Sequence, residues 1–414
     1  MKLDNIQGAF IGGAIGDALG FPHEMLNKYK GMKGFFPWKM VRSNKYITKH
    51  IDIKPGTYSD DTQLMLAVAR SINEDGFDKK HFVFELKEWL SYELGGGKAT
   101  KKAARNINYN NDEFLNFYEG YTKAGGNGTV MRILPHIVSS DNYSQILKNS
   151  LEDTLITHGS PVAVLGEVYF SSFLYQLFNG EEPIKAHKQA ENKAMDFNLV
   201  PHVSNNWLKK CKSTNGEPYE KEEERIKKQL QQKSLLLNSF LELSKTDKDY
   251  YTAIGATGMY KGSAINSTLA AVYTLIKHFN ESFLETISIP CYMGNADTDT
   301  VGLLTGIIKG YCEGIKNIPD ELLENIQDKK YILKVAKKLN NKEFNNIKTV
   351  DKNGKKLNTI KSRLYQLKKK DVIKTKIFGT GVVTENKFVN NTYHVKVHFD
   401  CGQSILLTRT KKQP

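Results

Sequence analysis

Gly294-Asn295-Ala296-Asp297-Thr298-Asp299-Thr300 runs directly into the glycine-spaced apolar stretch Val301 to Ile315. The pattern changes there from loop to helix, so two carboxylates and a hydroxyl gather beside backbone N–H groups that have no intrahelical partner. One Asp is explained as a cap that complements the helix dipole, but the second would repel the first. A hard divalent cation removes that conflict, because Mg²⁺, Mn²⁺ and Ca²⁺ favour carboxylate and hydroxyl oxygens.

An Asp-x-Asp-Thr on its own is only a capped turn. The same chemistry recurs far upstream, however, in Pro55-Gly56-Thr57-Tyr58-Ser59-Asp60-Asp61-Thr62, again at the head of an amphipathic helical run, Gln63 to Ile72. If the two clusters meet, Ser59, Asp60, Asp61, Asp297, Asp299 and Thr300 supply oxygen ligands for one or two octahedral ions.

The whole chain bounds this reading. At 414 residues it calls for one large domain with an appendage, or for two domains, and a 40% hydrophobic content is that of a globular protein. No run is long enough to span a membrane, and the start Met1-Lys2-Leu3-Asp4-Asn5 lacks the features of a signal peptide, so a cytoplasmic location is expected. Cys211, Cys291, Cys312 and Cys401 show no metal or disulfide spacing and are expected to be free thiols. The net charge of +14 is unevenly distributed: from Lys329 to Pro414 there are 22 Lys or Arg against 5 Asp or Glu, a net of +17, which leaves −3 for the rest. Such asymmetry fits either a polyanionic partner such as nucleic acid or a solubilising tail.

Along the chain, Asn5 to Leu19 reads as a helix with Gly8, Gly12 and Gly16 four residues apart, which implies close backbone packing against a neighbour. Gly20 to Glu24 reads as a turn presenting Glu24 from a loop, and Lys28 to Tyr46 as an irregular loop or lid. Helical periodicity covers Lys79 to Leu94, Asn111 to Tyr118, Leu147 to Ile156, Val162 to Leu177, Ile226 to Leu243 and Ala264 to Phe279. Gly125-Gly126-Asn127-Gly128 is a glycine-rich turn opening a helix, a place where free N–H groups suit a phosphate as well as a plain turn. His158, in Thr157-His158-Gly159, reads either as a structural histidine or as one that orients a hydroxyl or a water. No strand pattern is evident before about residue 370, so the body over 1–340 is expected to be all-α. A basic linker or exposed helix over 341–370 then leads to alternating segments over 371–414 that read as a small SH3-like or Tudor-like β-barrel.

Read jointly, Gly16-Asp17-Ala18-Leu19-Gly20-x-Pro22-x-Glu24, Ser59-Asp60-Asp61-Thr62, Gly126-Asn127-Gly128-x-x-Met131-Arg132, Thr157-His158 and Asp297-x-Asp299-Thr300 resemble the ADP-ribosylglycohydrolase family, with the motifs in the family's order from Gln7 to about Leu339. The resemblance implies an all-α orthogonal helical fold and a glycosidase that hydrolyses the N- or O-glycosidic bond joining ADP-ribose to an acceptor. It also implies two Mg²⁺ or Mn²⁺ ions on Ser59, Asp60, Asp61, Asp297, Asp299 and Thr300. Gly126, Asn127 and Gly128 would sit near the diphosphate and His158 near the distal ribose. Glu24 matches a carboxylate that in one branch gates the metals and assists proton transfer. Asn295 departs from the Gly that many members carry before the first Asp of this motif. The basic tail has no counterpart in typical members.

The bond to be cleaved passes through an oxocarbenium-like state, so a site must stabilise charge on the ribose and position a water. Glu24, Asp60, Asp61 and Asp299 are the expected catalytic carboxylates, in preference to His158 as base. The expected substrate is an ADP-ribosylated protein or nucleic acid, the latter reached through the basic tail in an antitoxin-like role. The alternative is a nucleic-acid-binding protein with a degenerate hydrolase body.

Overall fold

A computed structural model describes residues 1–25, 32–43, 48–107, 117–243, 245–344 and 350–411. Its centre is a pair of helices, Leu3–Met25 and Thr298–Glu313, whose glycines face each other. A Cβ on Gly12 would fall 2.3 Å from the Gly306 carbonyl oxygen, and one on Gly16 would fall 2.0 Å from that of Gly302. The four-residue glycine spacing on both helices therefore has the cause anticipated for it, backbone-to-backbone packing that no side chain permits. Phe10, Ile11 and Ile15 of the first helix and Leu303, Leu304 and Ile307 of the second are fully buried around that seam.

Glu24 is not on a loop. The first helix continues through Pro22 to Met25. Proline removes one intrahelical hydrogen bond, but packing holds this last turn: Phe21 is buried and the Thr298 hydroxyl donates to the Gly20 carbonyl at 2.7 Å.

Around this pair lie the Asp60–Arg70, Lys79–Trp89, Tyr143–Thr157, Pro161–Phe178, Tyr219–Glu242 and Ala264–Lys277 helices, close to the periodic segments read from the sequence. The helical segment expected over Asn111–Tyr118 falls, for residues 111–116, outside the described residues. The body is mostly helical, yet it is not free of strands. Trp38–Ser43 pairs antiparallel with Thr48–Ile53, and Ile72–Asn73 with Gly76–Phe77. Trp38 and Met40 point inward while Lys39 and Val41 are exposed, a two-residue alternation that the surrounding glycines and aromatics obscured. The region read as a loop or lid thus contains the first strand of a hairpin.

In the tail, Val372–Thr375, Gly379–Val389, Thr392–Phe399 and Ser404–Thr410 form one antiparallel sheet in chain order. Among the described residues no pairing joins its first strand to its last, so it is an open meander and not the closed barrel expected. The sheet docks on the body. Arg70, fully buried, donates to both carboxylate oxygens of Glu85 at 2.7 and 2.8 Å, to the Gln403 side chain at 2.7 Å, and lies over the Phe378 ring. Within 341–370, the short helix Leu357–Lys361 buries Leu357 and Ile360, and its first N–H bonds Glu88 at 2.6 Å. All four cysteines are free, and no described helix is long and apolar enough to cross a membrane.

Candidate active site

The two acidic clusters, more than two hundred residues apart in sequence, meet at the end of the central helix pair. Ser59 caps the Asp60–Arg70 helix, its hydroxyl accepting from the Asp61 N–H at 3.2 Å. That turn is held by Asp17 of the first helix, whose carboxylate accepts from Ser59 N–H at 2.8 Å, Thr62 N–H at 3.0 Å and the Thr62 hydroxyl at 2.6 Å. Asp17 is completely buried, and burial pushes its carboxyl up to about 6. It lies in the first motif of the sequence, but nothing in the spacing separated a supporting carboxylate from a ligand.

Asp297 and Asp299 enter from the start of the second helix. Asn295 turns the chain into it at φ 66°, a left-handed conformation open to Gly and Asn and costly for most other residues, which explains why Asn replaces Gly here. Carboxylate oxygens of Glu24, Asp297 and Asp299 lie within 4.8 Å of one another. Thr300 turns its side chain to Asp61. Asp61 also feels Asp60, Asp17 and Asp297, and Asp60 in turn feels Glu24.

These carboxylates are only sparsely compensated. Burial first, then their mutual repulsion, holds Asp60, Asp61 and Asp299 well above the usual carboxylate range. Glu24 is raised for the same reasons, against the pull of Lys261, whose ammonium donates to its carboxylate at 3.1 Å and to the Ala296 carbonyl at 3.2 Å. Lys261 was not singled out in the sequence, where it is one lysine in the irregular Tyr260-Lys261-Gly262-Ser263.

Asp61 Oδ2 is buried without a hydrogen-bond partner among the described residues. An orphaned carboxylate oxygen amid like charges fits a hard cation, because coordination would supply both the missing partner and the missing charge. The donor set of Ser59, Asp60, Asp61, Asp297, Asp299 and Thr300, all oxygen and nearly all buried, suits Mg²⁺ or Mn²⁺ better than a soft metal.

The glycine-rich loop adjoins this cluster. Asn127 donates through its side-chain amide to Asp297 at 3.2 Å and to Ser267 at 3.0 Å, and its backbone N–H is taken by the Gly262 carbonyl at 2.9 Å. The loop opens a single 3₁₀ turn, Val130–Arg132, and not the longer helix expected; the Asn127 N–H is thus not free for an anion. Arg132, fully buried, underpins the loop by donating to Gly128 O at 2.5 Å, to Asp153 and to the Thr157 hydroxyl at 2.9 Å. The Thr157 hydroxyl, which accepts from Arg132, also shares a hydrogen bond with His158 Nδ1 at 2.7 Å, and the Nε2 edge of that ring lies beside Gly126 and Gly128. Burial pushes His158 down to about 3, so the ring is neutral at physiological pH. A groove of about 1130 Å³ runs from Gly125, Gly126 and Gly262 toward Arg225 and Lys233. At Gly262 its wall meets the acidic cluster, since a Cβ there would lie 2.9 Å from Asp297 Oδ2.

Fold and site together define a helical protein with a largely buried carboxylate cluster beside a groove of about 1130 Å³. The family model for ADP-ribosylglycohydrolase matches residues 1–348, and the chain belongs to the ADP-ribosylglycohydrolase family. It is 26% identical over 206 residues to the ADP-ribosyl-[dinitrogen reductase] glycohydrolase of Rhodospirillum rubrum, covering 48% of this chain and 67% of that protein. It is 23% identical over 352 residues to the ADP-ribosylarginine hydrolase Tri1 of Serratia proteamaculans, covering 82% of this chain and 79% of that protein. A solved structure titled an ADP-ribosylglycohydrolase-related protein complex superimposes with a TM-score of 0.53 at 21% identity, over 82% of this chain and 98% of that one.

Proposed function

We propose that this protein hydrolyses the N- or O-glycosidic bond between ADP-ribose and an acceptor on a modified protein or nucleic acid. The observation that carries the reading is the convergence of Glu24, Asp60, Asp61, Asp297 and Asp299 in a family whose named members cleave ADP-ribosyl linkages. Ser59, Asp60, Asp61, Asp297, Asp299 and Thr300 would hold two Mg²⁺ or Mn²⁺ ions, which when bound supply positive charge for the ribose hydroxyls and for the attacking water.

The chain's own residues do the rest. In this reading ADP-ribose lies in the groove beside Gly126, where Lys123, Lys233 and Arg225, the last paired with Glu222 at 2.5 Å, would meet its negative charge, with His158 behind the loop. Asn127, tied to Asp297, couples the seating of the nucleotide to the acidic cluster. A water held by Asp60, Asp61 or Glu24 attacks the anomeric carbon as the bond to the acceptor breaks, and its proton passes to a carboxylate. Glu24 suits that last role because it borders the cluster without belonging to the six-oxygen set, and Lys261 anchors it. The test is release of free ADP-ribose from a panel of ADP-ribosylated proteins and nucleic acids, with and without Mg²⁺. Asp60→Asn and Asp299→Asn are expected to abolish release while circular dichroism stays native; full activity in either variant would overturn the assignment.

A second reading, nucleic-acid binding through the tail, draws on the exposure of Lys352, Lys355, Lys356, Arg363, Lys368 and Lys374. It requires binding that falls steeply with salt and is lost when Lys368, Lys369 and Lys370 are changed to Glu. Antitoxin-like action on ADP-ribosylated nucleic acid would need both activities in one chain.

A further inference from the structure

Beyond the residues matched by the family, the tail sheet builds half of a second cavity. Its register sorts the side chains. Val395, Val397 and Leu407 lie on one face and are fully buried, while Glu385 stands opposite Lys396, Lys387 opposite His394, and Leu406 opposite Lys396 on the other. A solvent-facing surface would be the ordinary fate of that second face. Here it is turned toward the Trp38–Ser43/Thr48–Ile53 hairpin and borders a partly open cavity of about 400 Å³.

The apolar part of the lining is concentrated on the body. The body contributes Trp38, Ile53 and Leu94, which belong to a small apolar cluster that Leu406 of the sheet joins. Charge comes from both walls, Lys39, Asp52 and Lys54 from the hairpin and Glu385, Lys387 and Lys396 from the sheet. Lys54 and Lys387 both pair with Glu385, the latter at 2.5 Å, so that carboxylate is already shared when Lys396 arrives beside it. Burial pulls the Lys396 ammonium down against the pull of Asp328 and Glu385, neither of which comes within ion-pair distance of it. Its neighbour His394, 7% exposed, leaves Nε2 buried without a hydrogen-bond partner. Counting the lining, Lys39, Lys54, Lys387 and Lys396 face only Asp52 and Glu385. A largely buried ammonium with no carboxylate in direct contact and an orphaned ring nitrogen, on one face of one strand, are polar groups of the kind that interiors otherwise satisfy.

We propose that this cavity binds a small organic anion, a single carboxylate or monophosphate group on a flat apolar body, with the anionic group at Lys396 and His394 and the body against Trp38, Ile53, Leu94 and Leu406. The volume of about 400 Å³ admits a molecule of that size. None of the candidate catalytic carboxylates lines it. It does touch the Asp60–Arg70 helix through Gln63, and Leu94, whose carbonyl accepts from the Asp60 N–H at 2.6 Å, so it lies close to the candidate active site while remaining separate from it.

The test titrates phenyl phosphate, benzoate and inorganic phosphate into the full-length protein, followed by calorimetry and saturation-transfer NMR. Phenyl phosphate or benzoate is expected to bind saturably at one site. Inorganic phosphate should bind about tenfold more weakly, for want of the apolar body. Lys396→Met, which removes the charge at nearly constant bulk, and Leu406→Trp, which fills the cavity, should each weaken the organic probe by about tenfold or more. Asp299→Asn should leave that binding unchanged, which keeps the result independent of whether the protein is a hydrolase. Melting curves check that the variants fold, and Lys396→Met decides if Leu406→Trp does not. The proposal fails if neither organic probe binds saturably, if inorganic phosphate binds equally well, if binding persists undiminished in Lys396→Met, or if Asp299→Asn abolishes it.

Discussion

At the residue scale, Asp61 is where the electrostatics of this protein are most strained: buried, beside Asp60, with one oxygen unpartnered among the described residues. If that oxygen ligates a cation, Mg²⁺ well above its dissociation constant raises the melting temperature of the native protein by mass action, roughly 2.7 kcal/mol at a hundredfold excess. Asp61→Asn is expected to melt at or above the native temperature without metal, because like-charge repulsion is relieved, and to lose most of the Mg²⁺ shift; calorimetry with and without chelator checks both. Glu167 offers a separate test away from the cleft. Burial pushes its carboxyl up to about 8, and the nearby Ser150 and Ser171 offset this only in part. Since the folded pKa lies above the unfolded one, the native state holds the extra proton between about pH 4.5 and 8, and stability falls as pH rises through that window. Glu167→Gln should therefore melt like the native protein near pH 4.5 and a few degrees higher at pH 9.

At the scale of elements, the glycine seam does more than pack two helices. The first helix carries Asp17 and Glu24 and the second begins with Asp297 and Asp299, so the separation of their backbones sets the spacing of the acidic groups. Gly12→Ala would force its Cβ against the Gly306 carbonyl, at a cost of about 1–3 kcal/mol or more for overpacking a rigid core. A lower denaturation midpoint with an unchanged m-value is expected, together with a weakened Mg²⁺ response that Leu284→Ala, on an exposed position, does not share. The hairpin and the four tail strands show the opposite relation. A two-stranded hairpin and a four-stranded open sheet have little core of their own, and what stabilises them is docking on the body.

For the whole molecule, Arg70 is the joint between body and tail. It pairs with Glu85 from one helix and reaches Gln403 and Phe378 of the sheet, all in the interior. Removing it leaves buried Glu85 with only His81, at 3.3 Å, beside it, and breaking such a buried pair typically costs about 3–5 kcal/mol. Arg70→Ala should lower the melting temperature and make the tail, more than the body, sensitive to limited proteolysis; cleavage confined to the body would contradict the joint.

Much of this was legible in one dimension. Helix positions followed from apolar periodicity, the glycine spacing announced the seam, and paired acidic motifs at two helix starts named most of the cleft, because those signals are local in the chain. Lys261 and the supporting role of Asp17 were hidden, since nothing near them in sequence distinguishes them from any lysine or any helical aspartate. Glu24 came out on a helix because tertiary packing around Phe21 and Thr298 overrode the proline. The cavity beneath the tail sheet was hidden as well. Residue types and spacing determined which groups this protein owns; only the fold decided which of them face one another, because the contacts that matter join Asp17 to Ser59, Glu24 to Lys261, and the hairpin at Trp38 to a strand more than three hundred residues later.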